Sequence, residues 1–272
     1  MEKMITLNTG ALMPRLGLGL YKTASGSELE NAFDSALLMG YRLFDTASAY
    51  KNEEGLGAAI VRSGIARDQI FVTTKVWNNA QRIGNVQGAF DRSLERLGLD
   101  YVDLYLVHWP VPGCYLDTWR CCEEILASGK AKAIGVSNFS EYELDDLMEH
   151  SDIIPAVNQI EFHPLYNQDG IRTFCQKNGI AVQAYAPLAR GAYLDRDVLK
   201  KIAAKYNRST AQVGLRWILQ KGVAVIPKSD HIERILENSQ IFDFELDEVE
   251  MKTIDGLNEN YRSASIPADL LK

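Results

Sequence analysis

The sequence is poor in the features that mark several large functional classes. It holds four cysteines in 272 residues, Cys114, Cys121, Cys122 and Cys175, and none forms a C-x-x-C pair. That spacing argues against a disulfide framework or a zinc module and suits a reducing compartment. The four histidines, His108, His150, His163 and His231, fall in separate segments; Glu161-x-His163 is the nearest approach to a ligand pair, and no metal is expected. Positive charge is in deficit, 29 Lys+Arg against 36 Asp+Glu for a net charge of −7, which argues against a nucleic-acid partner. No apolar run approaches the length of a membrane span, and Met1–Thr6 lacks the apolar core of a signal peptide, so a cytoplasmic protein with no membrane partner is expected. No Pro/Gly/Ser-rich linker divides the chain, and one domain over 1–272 is expected. There is no G-x-x-x-x-G-K-[ST], no H-E-x-x-H and no G-x-S-x-G. Gly17-Leu18-Gly19 lacks the third glycine of a dinucleotide fingerprint and reads as a tight turn.

What is present is a regular alternation. With 46% hydrophobic and 24% charged residues the chain has the composition of a folded globular protein, which excludes disorder. Leu29, Ala32, Phe33, Ala36 and Leu37 lie on one helical face, after a Ser27-x-x-Glu30 capping pattern and before Gly40. Further helices are expected near 53–63, 83–97, 116–128, after Ser140-x-x-Glu143, and at about 231–238. Between them, β-rich runs fall at Tyr41–Phe44, Ile70–Lys75, Tyr101–Val107, Ala131–Val136, Ala156–Ile160, Ile180–Tyr185 and Val223–Ile226. Ile5–Leu7 and Ala11–Met13, joined by Asn8-Thr9-Gly10, read as an N-terminal β-hairpin. Strand–helix alternation favours a parallel α/β fold. The strand ends carry Asp45, Lys75, His108, Ser137-Asn138, Gln159, Tyr185 and Lys228, close to one polar group per unit. An open sheet gathers its chemistry at one crevice, whereas an eight-stranded β/α (TIM) barrel uses every C-terminal strand end, so the barrel is expected.

In such a barrel Asp45, Tyr50, Lys75 and His108 converge. A free phenol titrates near pH 10 and is a weak proton donor at neutral pH. A neighbouring Lys75 ammonium is expected to lower that pKa, with Asp45 holding the ammonium in place. A histidine can orient a carbonyl oxygen by hydrogen bonding. This set suits protonation of a carbonyl that is receiving a hydride, and it contains no hydride source, so a cofactor is required.

Phe44-Asp45-Thr46-Ala47-Ser48-Ala49-Tyr50-Lys51-Asn52-Glu53, Thr74-Lys75, His108-Trp109-Pro110, Gly135–Phe139 and Ile226-Pro227-Lys228-Ser229 together closely resemble the aldo-keto reductases, in the family order and across nearly the whole chain. The likeness is greatest to bacterial members related to 2,5-diketo-gluconate reductases and to prostaglandin F synthases. The resemblance implies NADPH (NADP+) as cofactor, a small-molecule carbonyl as substrate and, for a chain of this size, a monomer. Position by position it implies Asp45, Tyr50, Lys75 and His108 as the catalytic tetrad, with Tyr50 as acid. It further implies Ser137, Asn138 and Gln159 at the nicotinamide carboxamide, Tyr185 against the nicotinamide ring, and Gly19, Leu20, Pro187 and Leu188 along the cofactor. Lys228, Ser229 and Arg234 fall to the 2′-phosphate, Glu237 and Asn238 to the adenine, and Tyr21, Trp77 and Trp109, with Tyr50 and His108, to the substrate pocket.

Three positions depart from the family pattern. Tyr21 stands where many members have tryptophan, Asp230 lies within the phosphate site, and the short tail after Arg262 suggests a reduced substrate-covering loop. Asp230-x-x-Glu233 is expected to cap the following helix. Two other readings stay open: a Schiff-base lyase using Lys75, and a non-catalytic regulatory subunit built on the same barrel.

Overall fold

The computed structural model describes residues 2–271. A two-stranded antiparallel hairpin, β1 (Met4–Thr6) and β2 (Leu12–Pro14), turns at Gly10. The strands that follow are β3 (Gly17–Gly19), β4 (Leu43–Asp45), β5 (Phe71–Val76), β6 (Leu104–Val107), β7 (Ile134–Ser137), β8 (Val157–Glu161), β9 (Ala181–Tyr185) and β10 (Ala224–Val225). Each of these pairs in parallel with the next, in the order β3 to β10. A parallel bridge between Leu16 and Val225, with Val225 N–H donating to Arg15 O at 2.8 Å and Gly19 N–H to Pro227 O at 3.2 Å, brings β10 back to β3 and closes the barrel.

Eleven helices lie outside it among the described residues: α1 (Ser27–Leu38), α2 (Glu53–Ser63), α3 (Asn78–Arg82), α4 (Val86–Leu97), α5 (Tyr115–Ala127), α6 (Glu141–Glu149), α7 (Asp169–Lys177), α8 (Asp197–Tyr206), α9 (Thr210–Gln220), α10 (Ile232–Ser239) and α11 (Glu248–Asp255).

Strand periodicity decides which side chains reach the interior. Leu43, Phe71, Leu104, Leu106, Val157 and Ala224 pack inside the barrel, floored by Leu7 and Met13 of the hairpin. Their neighbours Phe44, Val72, Tyr105, Val107, Val136 and Val182 point outward into the layer beneath the helices. Two steps beyond the inward apolar residues come Asp45 after Leu43, and Gln159 after Val157. Lys75 stands four beyond Phe71 and His108 two beyond Leu106. The barrel is therefore apolar at its floor and polar at its C-terminal mouth.

Several expectations are corrected. Gly17-Leu18-Gly19 is a barrel strand and not a turn. Its glycines are there because the wall is tight: a Cβ on Gly17 would lie 2.2 Å from Leu43 Cδ2, and one on Gly19 2.7 Å from Ile226 O. The helix expected over 83–97 starts only at Val86, because Gly84 takes a left-handed φ of 63° that separates α4 from the short α3 before it. The Ser27–Glu30 box does not form, since α1 begins one residue earlier behind Gly26 with no side-chain cap, whereas the Ser140–Glu143 box closes at α6.

Candidate active site

Asp45 and Lys75 meet across adjacent strands at the barrel mouth. Both are buried, and Lys75 Nζ lies 2.5 Å from Asp45 Oδ1. The ammonium also donates to Thr46 O at 2.8 Å and to the Tyr50 phenol oxygen at 3.5 Å. An ammonium has three N–H bonds, and these contacts account for all of them. The second carboxylate oxygen of Asp45 accepts from Gln159 Nε2 at 2.7 Å. Burial pushes the Asp45 carboxyl up and the Lys75 ammonium down, and their mutual attraction opposes both shifts.

Tyr50 stands on a single helical turn, 48–50, fixed by Ser48 Oγ donating to Lys75 O at 2.9 Å. The wholly buried Asn52 ties this turn to the loop after β3. It accepts from Thr46 Oγ1 at 2.6 Å and donates to Leu20 O at 2.9 Å and Thr23 O at 3.0 Å. The expected lowering of the Tyr50 pKa is not what this geometry produces. Burial first, then the Asp45 charge, hold the phenol well above its usual range, because the Lys75 charge is already shared with Asp45. Tyr50 is therefore a protonated phenol at neutral pH, with a lysine N–H directed at its oxygen.

His108 follows β6, its ring 5.6 Å from that of Tyr50 and edge-on to it. Burial and the Lys75 charge keep the imidazole well below its ordinary pKa, so it is neutral. Its buried Nδ1 has no hydrogen-bond partner. Trp77 packs edge-on against His108 at 4.9 Å, and Tyr21 lies 5.1 Å from Tyr50. With Trp109 these rings form an aromatic wall.

The mouth opens into a cavity of 1510 Å³. That exceeds the roughly 300–1,000 Å³ usual for one small ligand, and fits a cofactor with a substrate beside it. Gly19, Tyr21, Asp45, Tyr50, Trp77, His108 and Trp109 line it. So do Ser137, Asn138, Gln159, Tyr185, Pro187, Leu188 and Lys228. Leu20 and Ser229 are buried behind the wall, while Arg234, Glu237 and Asn238 follow on α10, where Arg234 is exposed and Asn238 buried.

The groove from Gln159 to Lys228 fits a dinucleotide in its chemistry. Gln159 spends both amide hydrogens, on Asp45 and on Gln183 Oε1 at 2.6 Å, and its Oε1 accepts no bond among the described residues. Asn138 accepts from Tyr185 O–H at 2.6 Å and donates to His108 O and Ser137 Oγ, each at 3.0 Å. Beyond Tyr185, Ala186, Ala189 and Arg190 all adopt left-handed φ values, of 46°, 46° and 54°. The Ala189 and Gly191 N–H groups close tight turns onto Ala186 O at 2.8 Å and Leu188 O at 2.7 Å, and Arg190 adds a cation at the same wall.

The resemblance also places the loop Tyr185–Gly191, with Arg190, over the pyrophosphate, whereas the contacts that anchor the tail were missed by sequence reasoning. The tail is short, yet Ala264–Asp269 line the cavity. The buried Glu161 Oε1 accepts from Ser263 N–H at 2.7 Å and Ser263 Oγ at 2.5 Å. Its Oε2 lies 3.5 Å from Arg262 Nε, and His163 Nε2 is 3.1 Å from Oε1. At the other end Asp269 pairs with Arg82 at 2.5 Å and accepts from Asn78 at 3.2 Å. Glu161-x-His163 is thus a tail anchor, and no group of three or more potential metal ligands occurs among the described residues. The inward register of Glu161, level with Tyr185 on β9, was the available signal.

A barrel with this centre at its C-terminal mouth defines a class, and the chain belongs to the aldo/keto reductase family, whose sequence description matches residues 15–259. Among its relatives is a glyoxal reductase of Bacillus subtilis, 48% identical over 271 residues that cover 100% of this chain and 98% of the relative. A 9,11-endoperoxide prostaglandin H2 reductase of Trypanosoma cruzi is 46% identical over 97% of this chain and 94% of its own. Among solved structures, a Bombyx mori aldo-keto reductase in complex with NADP superposes with a TM-score of 0.90 at 36% identity, covering 97% of this chain and 95% of that one. No described helix is long and apolar enough to cross a membrane.

Proposed function

We propose that the chain, 1–272 as one catalytic domain, is an NADPH-dependent reductase of aldehydes and ketones, with small α-dicarbonyls such as glyoxal as its substrate class. The observation that carries this is the Lys75 ammonium held between the Asp45 carboxylate and the Tyr50 phenol. Bound NADPH supplies the hydride to the carbonyl carbon. Tyr50 gives its phenolic proton to the carbonyl oxygen, so that C=O becomes CH–OH. As the proton leaves, the Lys75 N–H stabilises the phenolate, and Asp45 keeps that ammonium charged and aimed. Neutral His108 donates an N–H toward the same oxygen, a role an imidazolium would complicate by competing as the acid.

Ser137, Asn138 and Gln159 are assigned to the carboxamide, Tyr185 to the nicotinamide face, and Gly19, Leu20, Pro187, Leu188 and Arg190 to the remainder of the groove. Lys228, Ser229 and Arg234 are assigned to the 2′-phosphate, and Glu237 and Asn238 to the adenine. Tyr21, Trp77 and Trp109 bound the substrate. The similarity to the glyoxal reductase supports the dicarbonyl class, as does an aromatic wall beside a polar centre. Four thiols without a disulfide support a reducing cytoplasm, and a monomer is proposed from the family resemblance for a chain of this size. The Lys75 hydrogens are all engaged, which disfavours a Schiff base, and the assembled centre disfavours a purely regulatory barrel.

The test is the loss of NADPH absorbance with glyoxal, methylglyoxal and an aromatic aldehyde. Turnover is expected with the dicarbonyls at least; a protein that binds NADPH yet turns over none of them would refute the reading.

A further inference from the structure

At the phosphate end of the groove, carboxylates face one of the cations assigned to the ligand. Lys228 follows β10 and lines the cavity, and two carboxylates face its ammonium. Asp230 Oδ2 lies at 2.8 Å, and Glu28 Oε1, from the first turn of α1, at 3.8 Å. The expected capping of α10 by Asp230 does not occur: the helix begins after His231 with no side-chain cap, and the His231 N–H goes to Ser229 Oγ at 3.2 Å. Asp230 is thereby released from the helix and turned onto Lys228. His231 Nε2 stands 3.5 Å from the other Asp230 oxygen, and Arg234 makes no ion pair among the described residues. Lys228 and its two carboxylate partners sum to one negative charge.

We propose that Asp230, backed by Glu28, is a specificity-determining residue that competes with the 2′-phosphate for Lys228 and so narrows the preference for NADPH over NADH. The inference rests on the cofactor reading above. NADH has no 2′-phosphate and meets neither the attraction of Lys228 nor the repulsion of Asp230. A phosphate must displace the Asp230 carboxylate from the ammonium and then lie beside it. The pair is about one-third exposed, so water screens it and the phosphate wins, at reduced affinity. The chain consequently accepts both dinucleotides, with NADPH ahead by a modest margin.

Fluorescence titration of NADPH and NADH against the wild type, Asp230→Asn, Glu28→Gln and Lys228→Met reads this directly, without turnover. Asp230→Asn is expected to tighten NADPH by about three- to tenfold and to move NADH by less than about twofold. Glu28→Gln should act in the same direction more weakly, being farther from the ammonium. The Asp230→Asn gain should shrink as salt is raised, and on the Lys228→Met background only the part due to direct repulsion between Asp230 and the phosphate should remain. Weaker NADPH binding by Asp230→Asn would overturn the inference by showing that Asp230 positions Lys228. Equal shifts for both cofactors would overturn it by removing the phosphate from the effect. A wild type that binds neither dinucleotide would overturn the cofactor reading itself, which separates the two failures.

Discussion

The cavity has two walls built by opposite means. On one side Asp45, Lys75 and His108 project from neighbouring positions at the ends of β4, β5 and β6, and backbone pairing between those strands sets their spacing. On the other side the tail from Arg262 to Asp269 has no strand, and its one helical turn begins at Ala268. Side chains alone hold it, Glu161 at one end and Asp269 at the other. A group that must stay within a few tenths of an ångström of another needs a wall of the first kind. A wall that sets only the shape of the space can be of the second kind. The rate of the chemical step and the selection of substrate are thereby separable in this fold.

The largest break in the comparison comes from the strand-held wall. Tyr50→Phe removes the proposed proton donor and little else, since the phenol oxygen receives only the Lys75 N–H. It should lower kcat for carbonyl reduction by about 10²–10⁴-fold with NADPH affinity unchanged. A parallel loss of NADPH binding, read by fluorescence, would make Tyr50 structural instead.

Lys75→Met acts on rate and fold together. It leaves the Asp45 charge buried with only Gln159 as partner, a defect that costs about 3–5 kcal/mol in comparable buried pairs. Denaturant unfolding should show that loss, and Lys75→Met combined with Asp45→Asn should recover part of it while activity stays low. Recovery of activity in the double variant would remove the pair from the chemistry.

The same contrast explains what the sequence made legible. Asp45, Lys75 and His108 stand at or just after the ends of β-rich runs, so strand-end placement in a parallel barrel was enough to bring them together. Gly17–Gly19 was misread because its glycines answer to Leu43 and Ile226, distant in sequence, and nothing local shows that wall. The break at Gly84 was hidden for a similar reason: the apolar period of 83–97 continues across a residue that the backbone uses as a turn. The anchoring of the tail escaped notice because its contacts run from residues 262–269 back to Glu161, Asn78 and Arg82. The Asp230 pattern fitted a helix cap, and a competing ion pair with Lys228 captured it.

The tail-held wall should yield smaller and different effects. Burial alone would raise the Glu161 carboxyl, but bonds from His163 and Ser263 outweigh it and hold it below its ordinary value of 4.5. A carboxyl with a depressed folded pKa contributes stability that is complete above the unfolded value and lost as pH falls through the folded one. Hydrogen-exchange protection over 262–270, taken relative to the intrinsic exchange rate at each pH, should therefore be high at neutral pH and fall below about pH 4. Glu161→Gln should exchange fast at neutral pH with the acid-dependent step gone. Its KM for the dicarbonyl should rise about tenfold while kcat changes less, the signature of lost binding without lost chemistry. A fall in kcat with unchanged KM would place Glu161 in the chemical step.

The smallest effect belongs to the outer anchor and sharpens the comparison most. Asp269 and Arg82 are both more than a third exposed, and pairs of this kind are worth about 0.2–1 kcal/mol. Asp269→Ala should therefore cost under about 1 kcal/mol in unfolding, raise KM by about two- to threefold and leave kcat alone. Burial of Glu161 makes the inner anchor the stronger one, so loss of Asp269 alone leaves the strap attached. Combined with Glu161→Gln, the same substitution frees both ends of one segment, and the two should be more than additive in KM because they restrain the same backbone. Simple multiplication of the two effects would mean that each anchor holds its own local contact and that no common strap exists. A kcat loss for Asp269→Ala as large as that of Lys75→Met would erase the distinction between the walls, because the tail would then be part of the reacting centre.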